Sequence, residues 1–452
     1  MKDSNSNFQA PNSKKIPISK HQIPKKFQSL KFEIWNLFVI WNLGFGICSS
    51  ASAEKILIYM DLAQTDHLRA YGVAYKTLDM GANVEWLLNY RGGSFMMDQF
   101  PEVEKLCRLK GVSYSILTGG EIAEVYQTIE NSNMDVVLLE KPPKVAVYVP
   151  QNAIWEPWDD AVTLALDYTE IPYEKVWDRE VLQGALDQYD WLHLHHEDFT
   201  GQYGKFYGSY RNQSWYQEDV RSNEKLAKEL RFKKVWEMKH AASLAIKEYI
   251  AKGGFVFSMC SAPVTLDIAL AEGNLDIVAP EYDGDPSDPS APSQLDFMKS
   301  LAFQNYQLEM NPLVYEHSDV DVTQTANQRG PETYFTLFDF SAKYDPVPTM
   351  LTQCHVSLIK EFMGQDTGFH RDRVKGSVVT LAEVEGTEEL KYIHGNLGQG
   401  TFTYLGGHDP EDYQHMVGDP PTRLELHKNS PGYRLILNNI LFPAARKKEQ
   451  KT

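Results

Sequence analysis

Short apolar runs alternate with stretches of helical spacing over most of the chain. Residues 55–60, Lys-Ile-Leu-Ile-Tyr-Met, read as a buried strand, and residues 67–80 repeat apolar positions at helical intervals up to Gly81. The pattern continues with a strand at 83–89, the loop Arg91-Gly92-Gly93-Ser94, a helix at 102–110, a strand at 112–117, a helix at 121–130 and a strand at 135–139. Paired prolines at Pro142 and Pro143 mark a boundary. The rhythm then restarts: a strand at 144–149, a helix at 158–168, strands at 174–177 and 189–196, and one long helix at 223–252 stopped by Gly253-Gly254. A strand at 255–259 leads through Cys260 into a helix that begins at Ser261 or Ala262. Strands alternating with helices predict an α/β fold with a mostly parallel sheet and right-handed crossovers.

Residues 272–330 lose this rhythm and are rich in Asp and Pro, as an insertion loop would be. Strands resume at 334–340, 377–385, 391–395 and 401–405, and a last helix covers about 432–444. The expected organisation is a small α/β domain at 54–141 and a larger one at 144–445 with an insertion at 272–330.

Composition changes the picture mainly at the N-terminus. Lys25, Lys26 and Lys31 precede an apolar stretch from Ile34 to Cys48, followed by Ala51-Ser52-Ala53. This is the layout of a cleavable export signal over residues 1–53. The stretch is shorter than the roughly 20 apolar residues of a membrane span, so no stable span is expected after cleavage and the protein is expected in the periplasm or cell envelope. Removal of residues 1–53 takes away seven lysines and two acids, leaving 37 basic against 59 acidic residues and a net charge of −22. Such a charge excludes nucleic acid as an expected partner, because phosphate binding needs positive potential. Cys107, Cys260 and Cys354 remain, an odd number with no C-x-x-C. Nothing in the sequence bears on oligomeric state.

Three stretches carry candidate chemistry. In Phe257-Ser258-Met259-Cys260-Ser261-Ala262, small residues stand two positions either side of Cys260, as a strand-to-helix elbow requires. N–H groups at the helix start, Ser261 among them, would face the sulfur, lower its pKa and hold an oxyanion. The competing reading is a buried core cysteine. The second stretch, Gly406-Gly407-His408-Asp409-Pro410-Glu411, follows an apolar strand and offers His408 as a base oriented by Glu411 or Asp409. A loop histidine among solvated acids is the alternative. The third is His193-Leu194-His195-His196-Glu197-Asp198 at a strand's carboxyl end, where open α/β sheets bind ligands. His195, His196, Glu197 and, in the following Gly- and Tyr-rich loop, Tyr203 are candidate substrate contacts. Residues of this His193–Glu197 stretch could also be metal ligands, perhaps with His408, but no second metal motif accompanies them, and no metal or other cofactor is expected. The loop at Arg91–Ser94 lacks the Walker spacing and reads as a tight turn.

The elbow at Cys260 and the later Gly407-His408-Asp409-Pro410-Glu411 resemble the class I glutamine amidotransferase-like superfamily. The run from Gly398 to Asp409 looks like its trehalose-utilisation (ThuA-like) branch. More of the chain is similar to an exported bacterial family commonly labelled asparagine synthetase B. That match rests on Trp86–Phe95, Trp191–Phe206 and Gly407–His415. The resemblance implies a flavodoxin-like core and thiol-dependent hydrolysis of an amide or related acyl bond in a small polar substrate. Cys260 would attack, His408 would take its proton, and Glu411 or Asp409 would orient the ring. A non-catalytic or carbohydrate-related ThuA-like binding protein and an envelope interaction module are the alternatives. Residue 2 is Lys, and no S-G-G-x-D-S pyrophosphate loop occurs, so nothing calls for ATP.

Overall fold

The apolar runs become two sheets. The computed structural model describes residues 54–150 and 160–446; the export segment and the expected helix start at Trp158 lie outside the described residues. From Glu54 onward the chain clusters as one compact unit of mixed α/β class.

The first sheet contains β1 (Lys55–Ile58), β2 (Val84–Leu88), β3 (Ser94–Asp98), β4 (Ser115–Leu117) and β5 (Asp135–Leu139), in the order β4-β1-β3-β2-β5. Every pairing in it is antiparallel, unlike the parallel arrangement expected of strands alternating with helices. For β2 and β3 the cause lies at Arg91–Ser94. Asn89, Arg91, Gly92 and Gly93 all take positive φ, so the chain reverses within a few residues and Ser94–Asp98 returns as a strand beside β2. Arg91 bonds the Asp61 carboxylate (2.6 Å) and covers the Tyr59 ring, so this loop is a tight turn held by its neighbours.

The second sheet comprises β6 (Val145–Tyr148), β7 (Tyr173–Val176), β8 (Trp191–Leu194), β9 (Phe255–Met259), β10 (Tyr334–Leu337), β11 (Leu358–Lys360), β12 (Phe369–His370), β13 (Val379–Val384), β14 (Glu389–Leu397) and β15 (Gly400–Leu405). Its order is β11-β10-β13-β14-β15-β9-β8-β6-β7, with β12 beside β14. The five strands β7-β6-β8-β9-β15 run parallel, and the remainder is antiparallel. Fully buried strands such as β6 and β8 match their unbroken apolar sequence, because helices cover both faces of a parallel sheet.

The expected long helix at 223–252 is two helices, Ser214–Glu229 and Val235–Lys252. Arg231 breaks it by adopting φ +69°. The region after Glu272 is irregular but pinned. The Asp267 carboxylate, buried on the helix Ala262–Glu272, accepts the N–H groups of Leu301, Ala302 and Phe303 at 2.6–2.8 Å. No helix among the described residues is long and apolar enough to cross a membrane. Cys107, Cys260 and Cys354 are free thiols.

Candidate functional site

Strands β8, β9 and β15 are neighbours and parallel, so their carboxyl ends open on one edge. His195 and His196 leave β8 there, Cys260 leaves β9, and Gly406-Gly407-His408 leave β15. Two backbone hydrogen bonds tie these exits together. The Cys260 N–H donates to the Gly407 carbonyl (3.1 Å), and the Ala262 N–H donates to the His195 carbonyl (3.0 Å). The two turns singled out in the sequence therefore meet, with β8 as a third participant.

Cys260 sits at φ +52°, a left-handed conformation uncommon in non-glycine residues and typical of a strained elbow. The helix Ala262–Glu272 begins two residues later, with Pro263 in its first turn. Ser261 lies fully buried at the turn, and its carbonyl accepts the Thr265 N–H. The sulfur accepts the Gln365 N–H at 3.4 Å. Burial pushes the Cys260 thiol up to about 12; the Gln365 N–H pulls against this, and the nearby Asp366 charge adds to it. The side chain is only 3 % exposed.

His408 packs among other imidazoles at this edge. Its ring meets His195 edge-on at 4.4 Å, lies parallel to His196 at 5.8 Å and stacks on His415 at 4.3 Å. His195, His196 and His408 each offer a ring nitrogen within 4.8 Å of the others. His195 is fully buried and His196 half-buried, so the group opens outward through His196. Burial, then the charges His408 and His196 would carry, holds the His195 ring well below the usual histidine range. Behind it stands Asp160, fully buried. One oxygen lies 3.6 Å from His195 Nδ1, and the other 3.1 Å from His193 Nε2. Burial alone would raise the Asp160 carboxyl; the His193 charge and hydrogen bond overcome that and leave it below the usual range. Glu197 accepts the His195 N–H at 2.9 Å, and burial drives its carboxyl up to about 8.

The acids expected to orient His408 have other partners. Glu411 pairs with His427 (2.7 Å), and Asp409 accepts the Glu411 N–H (2.9 Å). Tyr203 is buried against Tyr216 and Tyr282, so the Gly- and Tyr-rich loop is packed rather than open. The sequence reading missed the segment 362–367. His408 N–H donates to the Met363 carbonyl and Gly407 N–H to that of Asp366, both at 2.8 Å. Gly407 is obligatory here: φ is +94°, and a Cβ would stand 2.6 Å from the Phe362 carbonyl oxygen. Fully buried Lys391 fastens the same segment through the Phe362 and Thr367 carbonyls (2.5 and 2.7 Å). Gly364 and Gly368 flanking Gln365-Asp366 were the available turn signal.

No family model matches the chain, and no curated protein matches it. Among solved structures, the cytoplasmic protein STM3548 of Salmonella typhimurium is 12% identical, with 67% of this chain and 100% of that chain covered and a TM-score of 0.33. The cytoplasmic protein STM1381 of Salmonella typhimurium LT2 is 11% identical, with 67% and 99% covered and a TM-score of 0.34. A β-galactosidase from Bacillus circulans sp. alkalophilus is 11% identical, with 64% and 31% covered and a TM-score of 0.24. Likeness at this level leaves fold and chemistry to be argued from the chain's own geometry.

Proposed function

We propose that the chain is an exported protein with a flavodoxin-like, amidotransferase-like core that binds a small polar ligand through His195, His196 and His408. The parallel order β7-β6-β8-β9-β15 supports the core assignment: numbered along the chain it runs 2-1-3-4-5, the flavodoxin order. One observation carries the binding reading. Three imidazoles from two strand ends converge at the sheet's carboxyl edge, with His408 turned toward His195 and His196. Imidazoles supply donors and acceptors suited to hydroxyl, amide or carboxylate groups.

A second reading is thiol-dependent hydrolysis of an amide or related acyl bond, favoured by the strained φ at Cys260. In that chemistry the sulfur attacks the acyl carbon as His408 takes its proton, and N–H groups such as that of Gln365 hold the oxyanion.

Thermal shift of the full chain against glucose, trehalose, glutamine and asparagine separates the two. Binding that His408→Ala abolishes and Cys260→Ser keeps is the expected result. Release of ammonia from glutamine or asparagine that Cys260→Ser abolishes would overturn it in favour of the thiol.

A further inference from the structure

His195, His196 and His408 make an unusual group for a buried sheet edge. His195 is fully buried, yet neither ring nitrogen has a hydrogen-bond partner among the described residues. Leaving a buried polar atom unpaired costs roughly 1–3 kcal/mol, so an unpaired pair of ring nitrogens asks for an explanation. Asp160 Oδ1 stands 3.6 Å from Nδ1, just beyond hydrogen-bond reach, which leaves Nε2 as the ring's other ligand atom. A carboxylate behind one imidazole nitrogen, with the second nitrogen turned to a cluster of further imidazoles, is the arrangement that orients histidine ligands of a metal ion.

We propose that His195, His196 and His408 form a site for one divalent transition-metal ion of the zinc class, with Asp160 as the positioning carboxylate behind His195. The donor set fits: neutral imidazoles suit zinc, cobalt and nickel, and three protein ligands leave a fourth position open. The dimensions fit as well. An ion equidistant from three nitrogens 4.8 Å apart would stand about 2.8 Å from each, and Zn–N bonds are about 2.0–2.1 Å, so each ring needs to close in by under about 1 Å. The Asp160 carboxylate supplies nearby negative charge. Half-buried His196 gives the ion a route in from solvent. The inference rests on the binding reading above and deepens it: the open position takes a hydroxyl or carbonyl oxygen of the small polar ligand.

The test uses untagged full chain, freed of metal with chelator and titrated with Co2+. One equivalent should bind, giving the visible absorption of nitrogen-ligated cobalt and no intense thiolate-to-cobalt band. His196→Gln and His408→Gln should each weaken binding at least about tenfold. Asp160→Asn keeps an oxygen for the N–H groups of Val162 and Thr163 but removes the charge, and should cost about 10- to 100-fold. Circular dichroism confirms that each variant is folded; His196, at the solvent side, is the safest to change. Absence of saturable binding, binding unaffected by both histidine variants, or a thiolate band would overturn the site. Metal-free protein that takes up no cobalt but still binds glucose, trehalose, glutamine or asparagine in a His408-dependent way would remove the ion and leave the binding reading intact. Loss of both would end both.

Discussion

The molecule holds two groups of closely packed histidines, and they are built on opposite principles. His67 and His355 stack at 4.2 Å where the first sheet meets the helix Pro431–Leu441. His67 has oxygen partners at both ring nitrogens: Nδ1 lies 2.9 Å from the Asn429 side-chain oxygen and Nε2 3.0 Å from the carbonyls of Met60 and Asp61, and the neutral ring donates through one of the two. His355 Nδ1 faces Arg434 Nη1 at 3.1 Å. Arg434, itself fully buried, also bonds the carbonyls of Met60 (3.1 Å) and Gly92 (2.7 Å). His195 is equally buried but lacks such partners among the described residues. Burial alone therefore does not mark a functional histidine. What separates the two groups is that the His67 ring has partners, whereas both His195 ring nitrogens lack one among the described residues.

Breaking the satisfied group should have the largest effect. Arg434→Met removes a buried cation that ties Gly92 and Met60 to the last helix, and takes the guanidinium from both carbonyls, leaving that of Met60 only His67. Denaturant unfolding should show a loss of about 3 kcal/mol or more. A loss under about 1 kcal/mol would mean that the two sheets do not depend on this junction.

Acid should come next. Burial, then the Arg434 charge, lowers His67 to about 4, against an unfolded value near 6.5. Above about pH 6.5 the ring is neutral in both states and costs nothing. Between about pH 6.5 and pH 4 only the unfolded chain takes up the proton, so stability falls by about 1.4 kcal/mol per pH unit for this residue. Melting curves across that window should be less steep in pH for His67→Gln than for the wild type. Equal slopes would show that the ring is not held neutral.

Asn429→Ala should be the mildest. It strips the Nδ1 partner from His67 and turns a satisfied ring partly into an unsatisfied one, at a cost of about 1 kcal/mol. Denaturation midpoints measure it, and no change would mean that solvent replaces the amide.

Much of this was legible in the sequence. The strand at Asp135–Leu139, the helix at His67–Asp79 and the passage from β9 through Cys260 into a helix at Ala262 follow from apolar runs and their breaks. The antiparallel first sheet was not, because the turn at Asn89–Gly93 depends on non-glycine residues at positive φ, which no periodicity reveals. The carboxyl edge of the second sheet was legible from strand ends alone, and His195, His196 and His408 were all singled out. Their mutual arrangement was not: ring-to-ring contacts between residues over two hundred positions apart leave no spacing signal. For the same reason Glu411 looked like a partner for His408 by proximity in sequence, whereas the fold brings it to His427. Gln365 and Asp366 were invisible as site residues because their role comes from backbone groups, which every residue carries.

The central claim is that chemistry at this edge belongs to imidazoles rather than to the thiol. Alkylation by iodoacetamide at pH 7.5, followed by mass spectrometry of Cys107, Cys260 and Cys354, tests it most directly. Burial raises all three thiols, Cys260 to about 12, so Cys260 should stay unlabelled in the folded protein and react only once it is denatured. Selective, rapid labelling of Cys260 in the folded chain would contradict the account and restore the thiol as the reacting group.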